Sequence, residues 1–146
     1  MDFDTRVKMF IYRHFAETGQ GPTPADAAAH LGTDVEQVLA AYTRLRAQRM
    51  LVLGADGVSI RMASPFSGVP TQHVVESGGL QYYGNCAWDA FGVIAALRQP
   101  GMVHSRCEQS GEPLHLAVGL DGPEPCDWLF HCLVPAAKWW EDIVFT

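Results

Sequence analysis

The stretch Leu51-Val52-Leu53-Gly54-Ala55-Asp56-Gly57-Val58-Ser59-Ile60-Arg61-Met62 sets Leu51 and Leu53 on one side of an Ala-Asp-Gly turn. Val58, Ile60 and Met62 follow at every second position on the other. Apolar residues at a spacing of two on both sides of a turn predict a β-hairpin. Upstream of the hairpin the rhythm is helical. Phe3, Val7, Phe10, Ile11, His14 and Phe15 fall on one face, and Gly19 to Gly21 end the run, which predicts a helix over about residues 3 to 18. Thr23 followed by Pro24 and Asp26 has the chemistry of an N-cap, an N1 proline and an acidic first turn, with Gly32 as the stop. Thr33 and Glu36 have the spacing of a capping box, and Val35, Val38, Leu39, Tyr42 and Leu45 carry an apolar stripe through about Gln48. Three helices closed by a hairpin predict a winged-helix-like module over residues 1–63.

Such a module binds DNA when its third helix offers base-reading and phosphate-reading side chains, and Arg44, Arg46 and Arg49 are the candidates. They read equally as a solvated helix face. Residues 1–62 hold seven basic and seven acidic side chains, and a neutral module lacks the basic footprint on which DNA affinity depends. The balance argues against a nucleic-acid partner.

Downstream, the Pro/Gly/Ser-rich stretch from Ala63 to Pro70 reads as a linker. Beyond it the pattern predicts a strand over Gln72 to Glu76. Leu80 to Tyr83 then leads into a helical segment from Ala87 to Leu97 that ends before Pro100 and Gly101. Val103 to Arg106 and Leu114 to Val118 read as strands joined by a loop containing Ser110, Gly111 and Pro113. A last strand is expected near Trp128 to Val134, and a helical turn over Ala136 to Glu141. The expected class is α+β: a helical module, then a small mixed α/β domain over residues 64–146. From residue 63 onward there are three basic and nine acidic side chains, which suits a cation or small-molecule site better than a polyanion.

No run of eighteen apolar residues occurs, and Asp2, Asp4, Arg6 and Lys8 crowd the start, so neither a membrane span nor a signal peptide is expected and the cytoplasm is the default address. Cys86, Cys107, Cys126 and Cys132 all lie in the last 61 residues. In a reducing compartment such cysteines serve as metal ligands, nucleophiles or buried thiols rather than as disulfides.

The sharpest local feature is Gly84-Asn85-Cys86-Ala87-Trp88-Asp89, which opens the predicted helix. A spacing of three puts the Cys86 thiol and the Asp89 carboxyl on one face, a turn apart. A cysteine at a helix N-terminus gains thiolate character from the unpaired amides, which makes it a soft-metal ligand or nucleophile, and the carboxyl beside it can exchange its proton. The plainer alternative is a buried small hydrophobe next to a first-turn acid.

Asn85-Cys86-Ala87-Trp88-Asp89, Ser105-Arg106-Cys107 and Ser110-Gly111-Glu112-Pro113 together resemble the central core of alkylmercury (organomercurial) lyases. Phe66-Ser67-Gly68-Val69-Pro70-Thr71, Val134-Pro135-Ala136 and Trp139-Trp140-Glu141-Asp142-Ile143 are also similar to that family, as is the winged-helix-like start. The resemblance implies protonolytic cleavage of a carbon–mercury bond, giving a hydrocarbon and Hg(II), without an organic cofactor. It implies Cys86 as the first mercury ligand, Asp89 as proton donor and auxiliary ligand, Cys107 as a structural cysteine, and low-molecular-weight thiols as partners beside the organomercurial. The family's second active-site cysteine falls at or just beyond Thr146, so the chain reads as a short or C-terminally truncated member.

Cys126 or Cys132 is then the candidate for the missing thiol. Cys132 joins Cys86 and Asp89 in the expected mercury-binding set, although an apolar strand would make it core. His104, His115 and His131 lack metal-ligand spacing and receive no role. Trp128, Trp139 and Trp140 suit either an apolar pocket or core filling. Two other readings stand beside the lyase: a noncatalytic Hg(II) or soft-metal binder, and a winged-helix regulator that senses a ligand through its second module.

Overall fold

The computed structural model describes residues 1–145. It is a mixed α plus β fold of three N-terminal helices, two antiparallel sheets and a fourth helix. Helix α1 spans Phe3–Thr18, capped by the Asp2 carboxylate on the Thr5 amide and ended by Gly19 in the left-handed region. Helix α2, Pro24–Leu31, begins with a full capping box. The Thr23 hydroxyl accepts from the Asp26 amide while the Asp26 carboxylate accepts from the Thr23 amide. Helix α3 spans Val35–Ala47, and its cap differs from the expected Thr33–Glu36 box. Asp34 accepts from the Gln37 amide at 2.8 Å, and Thr33 donates instead to the Gln37 side chain. A carboxylate at N-cap is an equally good acceptor for the first free amides, and the chain takes the residue one position later.

Strands β1 (Val52–Leu53) and β2 (Ile60–Ala63) form the predicted hairpin, with Val52 opposite Met62. The stretch from Ala63 to Pro70 is not a linker. It turns at Ser64-Pro65 and supplies β3 (Phe66–Ser67), the third strand of the first sheet. Phe66 is buried and stacks on Phe15 of α1 at 5.2 Å between ring centroids, and it also contacts Tyr82. The apolar area removed from water by this aromatic group is what holds a Pro/Gly-rich segment in place. Tyr12 adds a hydrogen bond from its hydroxyl to the Ser64 carbonyl at 2.9 Å.

The second sheet has the order β5-β4-β6-β7-β8, antiparallel throughout. Its strands are β4 (Val74–Ser77), β5 (Leu80–Tyr83), β6 (Gly101–Arg106), β7 (Pro113–Gly119) and β8 (Gly122–Pro123). Gly78 and Gly79, both at positive φ, make the tight turn between β4 and β5. Helix α4, Ala87–Leu97, lies across β4 and β6 and buries Ala90, Val93 and Ile94. One β-bridge, Phe66 to Gly84, ties the two sheets together just before α4. A single buried cluster accordingly runs from Val7, Ile11 and Phe15 through Phe66 to Val75, Tyr82, Val93 and Val103.

The strand expected over Trp128 to Val134 is absent. Residues 124–133 are exposed and irregular, and the Ala136–Glu141 turn is a 3₁₀ helix. β8 pairs only the Val118–Gly119 end of β7, and the apolar run adds no strand to the rest of that edge. No helix among the described residues is long and apolar enough to cross a membrane.

Candidate active site

Cys86 is the N-cap residue of α4, extended at φ −140° and ψ 177°, and its carbonyl accepts the first helical bond from Ala90 at 3.1 Å. Asp89 sits one turn in, so the spacing read from the sequence brings thiol and carboxyl together. The loop before them is held from three sides. The Gly84 amide donates to the His73 carbonyl, the Thr71 hydroxyl donates to the Gly84 carbonyl at 2.6 Å, and the Asn85 side-chain amide reaches the Ile143 carbonyl at 3.1 Å.

Burial governs the electrostatics of the pair. It pushes the Asp89 carboxyl above the usual carboxylate range, and the Cys86 thiol, the Ser64 hydroxyl and the Cys86 and Asn85 amides pull back by less. Ser64 donates to Asp89 Oδ1 at 3.4 Å. Burial is also the largest influence on Cys86 and raises its thiol, with the negative charge of Asp89 adding to it. The amides of Trp88 and Asp89 act the other way. The sequence-based expectation of a thiolate stabilised by the helix N-terminus is therefore corrected: desolvation outweighs the amides. Burial thus favours the neutral form of both groups, and a soft cation would displace the thiol proton on binding.

Cys132 is exposed, and its thiol donates to the Val134 carbonyl at 2.8 Å, so it is not the core residue its apolar surroundings implied. No group of three or more His, Cys, Asp or Glu side chains suited to a metal occurs among the described residues; Cys86 and Asp89 are together and Cys132 does not complete a triad with them. All four cysteines are free thiols. Cys107 lies in the tight turn after β6, where the Ser110 hydroxyl and the Ser110 and Gln109 amides draw its thiol below the ordinary range. His104 and His115 face each other across β6 and β7, with 2.6 Å between their Nδ1 atoms.

Beside α4 opens a cavity of about 760 Å³ between the helix, strands β6 to β8 and the irregular segment through Phe130. Its lining starts at Ala87 and Trp88, directly after Cys86, and Trp88 packs on Phe130 at 5.5 Å. Trp128 lines it too, whereas Trp139 instead donates from its indole to the Val134 carbonyl. Two residues close to the site escaped the sequence reading. Ser64 lay within the presumed linker. His73 is buried, and its Nδ1 lies 2.8 Å from the Ser105 hydroxyl. The one sequence signal for them was Ser105, which belongs to the Ser105-Arg106-Cys107 motif.

A family model described as alkylmercury lyase matches residues 66–146. Among solved structures, the mercury-bound form of MerB2 shares the fold with a TM-score of 0.69 and 24% identity, over 86% of this chain and 60% of that one. The chain thus spans about 60% of the length of that solved relative. No curated protein matches.

Proposed function

The chain belongs to the alkylmercury lyase family, and on that premise we propose that it cleaves the carbon–mercury bond of organomercurials by protonolysis. In this reading the organomercurial cation exchanges onto Cys86, whose thiol proton leaves as the sulfur–mercury bond forms. Thiolate is the donor that outcompetes oxygen ligands for a soft metal. The carbon–mercury bond then breaks with its electron pair on carbon, and the Asp89 carboxyl supplies the proton. The products are a hydrocarbon and Hg(II) held by Cys86, with the Asp89 carboxylate as auxiliary ligand. No organic cofactor takes part. A second sulfur, from Cys132 or a low-molecular-weight thiol, takes Hg(II) away.

The observation that carries this reading is the Cys86–Asp89 pair on the first turn of α4, with burial holding Asp89 toward its protonated form. A general acid must carry a proton to give, and desolvation at Asp89 acts in that direction. Family membership favours the lyase over the noncatalytic Hg(II)-binding and regulator readings. Against a DNA-binding role stands Arg44, engaged by Asp4 through two bonds of 2.8 and 2.6 Å and thus drawn away from a phosphate. Three helices followed by a hairpin support the winged-helix-like description of residues 1–63, and the start of the family match at residue 66 supports a lyase-like unit over 64–146. The four free thiols suit the cytoplasm.

The test is hydrocarbon release from a simple organomercurial in excess low-molecular-weight thiol. Cys86→Ser and Asp89→Ala should each abolish release, and Cys132→Ser separates that thiol from the external one as the acceptor. Stoichiometric Hg(II) binding through Cys86 without any release would overturn the enzyme.

A further inference from the structure

Beside the Cys86–Asp89 pair, the cavity is lined by one member of a second set of reactive groups. Ser105 of β6 lines the cavity, and its Oγ lies 2.8 Å from His73 Nδ1. His73 Nε2 faces Glu108 Oε1 at 3.9 Å, and the Gln72 side-chain amide donates to that same oxygen. His73 is 8% exposed, whereas the Glu108 side chain reaches solvent.

The carboxylate decides what the His73–Ser105 contact means. A neutral imidazole puts its one proton on either nitrogen, and the partner of one nitrogen fixes the state of the other. Glu108 favours the proton on Nε2, because a bare lone pair there would face a negative charge. That leaves the Nδ1 lone pair to accept from the Ser105 hydroxyl, the direction in which a serine is activated. Burial lowers the His73 pKa, so the ring is an unprotonated acceptor at neutral pH. A hydroxyl on the cavity wall is thus hydrogen-bonded to a buried imidazole with a carboxylate 3.9 Å from its far nitrogen, beside a cavity of a size that holds small organic ligands.

We propose that Ser105, His73 and Glu108 form a second site that performs acyl transfer on apolar esters bound in the cavity. The Ser105 oxygen attacks the ester carbonyl as its proton passes to His73 Nδ1. The tetrahedral intermediate expels the alcohol, which takes that proton, and leaves an acyl-serine. Water, deprotonated by His73, then releases the carboxylic acid and restores the serine. No redox step or metal is needed. Phe91, Ile94, Leu114, Leu116 and Val118 wall the cavity and suit an aromatic or medium-length aliphatic acyl group. General-base assistance alone places the acceleration at about 10²–10⁴-fold over an unassisted hydroxyl. This site is independent of the carbon–mercury chemistry, which uses neither Ser105 nor His73.

The experiment is labelling of the full chain with an alkyl fluorophosphonate, a phosphorus electrophile that spares thiols. Fluoride leaves as the serine oxygen–phosphorus bond forms, and the adduct is located by peptide mass spectrometry. Turnover of 4-nitrophenyl butyrate is followed in parallel. The expected result is an adduct on Ser105 and ester turnover, both lost in Ser105→Ala. Glu108→Gln, at an exposed position, should slow both by about tenfold or more, because the tautomer is no longer selected. An unmodified Ser105, labelling at another residue only, or an unchanged rate in Glu108→Gln would each overturn the proposal. His73→Gln serves as a further check where circular dichroism matches the parent.

Discussion

The side-chain amide of Asn85 donates to the Ile143 carbonyl at 3.1 Å, with the Val144 carbonyl at 3.5 Å. Residues 58 positions apart are joined immediately before Cys86. Asn85→Leu keeps the approximate bulk and removes the donor, at a cost of about 0.5–1.5 kcal/mol. Amide exchange at residues 143–145 should accelerate by up to about tenfold, and alkylation of Cys86 should quicken as the residue before it loses its anchor. Unchanged exchange at these positions would show that the bond contributes nothing to holding the segment.

Asp89 sets a pH dependence of known sign. Its carboxyl titrates above the usual range because burial penalises the charge, so the proton-donating form persists to higher pH than in an exposed aspartate. With the organomercurial already bound at Cys86, single-turnover hydrocarbon release should fall as pH rises through that elevated value, with a one-proton slope. A rate that climbs with pH across this range would remove Asp89 as the acid.

The same shift affects stability. A group whose pKa is raised on folding contributes stability that is complete below its unfolded value of about 3.9 and is lost as pH rises through the folded value. At neutral pH the parent therefore carries a penalty that an amide would not. Asp89→Asn should raise the melting temperature at pH 7 while abolishing activity, and the gain should vanish toward pH 4, as thermal melts across pH would show.

Gly84 is required by space. A Cβ there would lie 2.7 Å from the Ala90 amide nitrogen and 3.0 Å from the Cys86 carbonyl oxygen, both main-chain atoms of the first helical turn. Gly84→Ala should cost about 1–3 kcal/mol, by analogy with overpacking in a core. It should also displace the Cys86 N-cap, so that mercury binding weakens along with stability. A variant of parental stability and affinity would show that the turn has slack.

The Thr23–Asp26 box offers a control far from the chemistry. Thr23→Ala removes the acceptor for the Asp26 amide and should cost about 1 kcal/mol. The midpoint of denaturant unfolding should drop with hydrocarbon release per folded molecule unchanged.

What was legible in the sequence was local. The three helices, the Leu51 to Met62 hairpin and the helical start at Cys86 follow from periodicity and end signals within a few residues, and they fall where expected. The misreadings were decided at a distance. Phe66 is ordered by Phe15 and Tyr82, so Pro/Gly/Ser composition gave the wrong answer for Ala63 to Pro70. The run from Trp128 to Val134 has strand-like composition, but its side chains are largely exposed and it pairs with no strand. At Cys86 the helix-end amides were visible and the burial that outweighs them was not. His73 stands alone in its stretch, and its partner Ser105 is 32 residues further on.

The short span from Ser64 to Phe66 touches α1 and α4 at once. Tyr12 of α1 holds the Ser64 carbonyl, Phe15 stacks on Phe66, the Ser64 hydroxyl meets Asp89, and Pro65 lies so close under α4 that a Cβ on Gly92 would come within 2.9 Å of it. The helical layer is thus not an exchangeable accessory. A recombinant that swapped residues 1–63 for another helical module of the same outline would have to bring an aromatic ring where Phe15 stands and a donor where Tyr12 stands. Otherwise the hydration of the Asp89 carboxyl, and with it the acid strength on which the chemistry depends, would change with the graft.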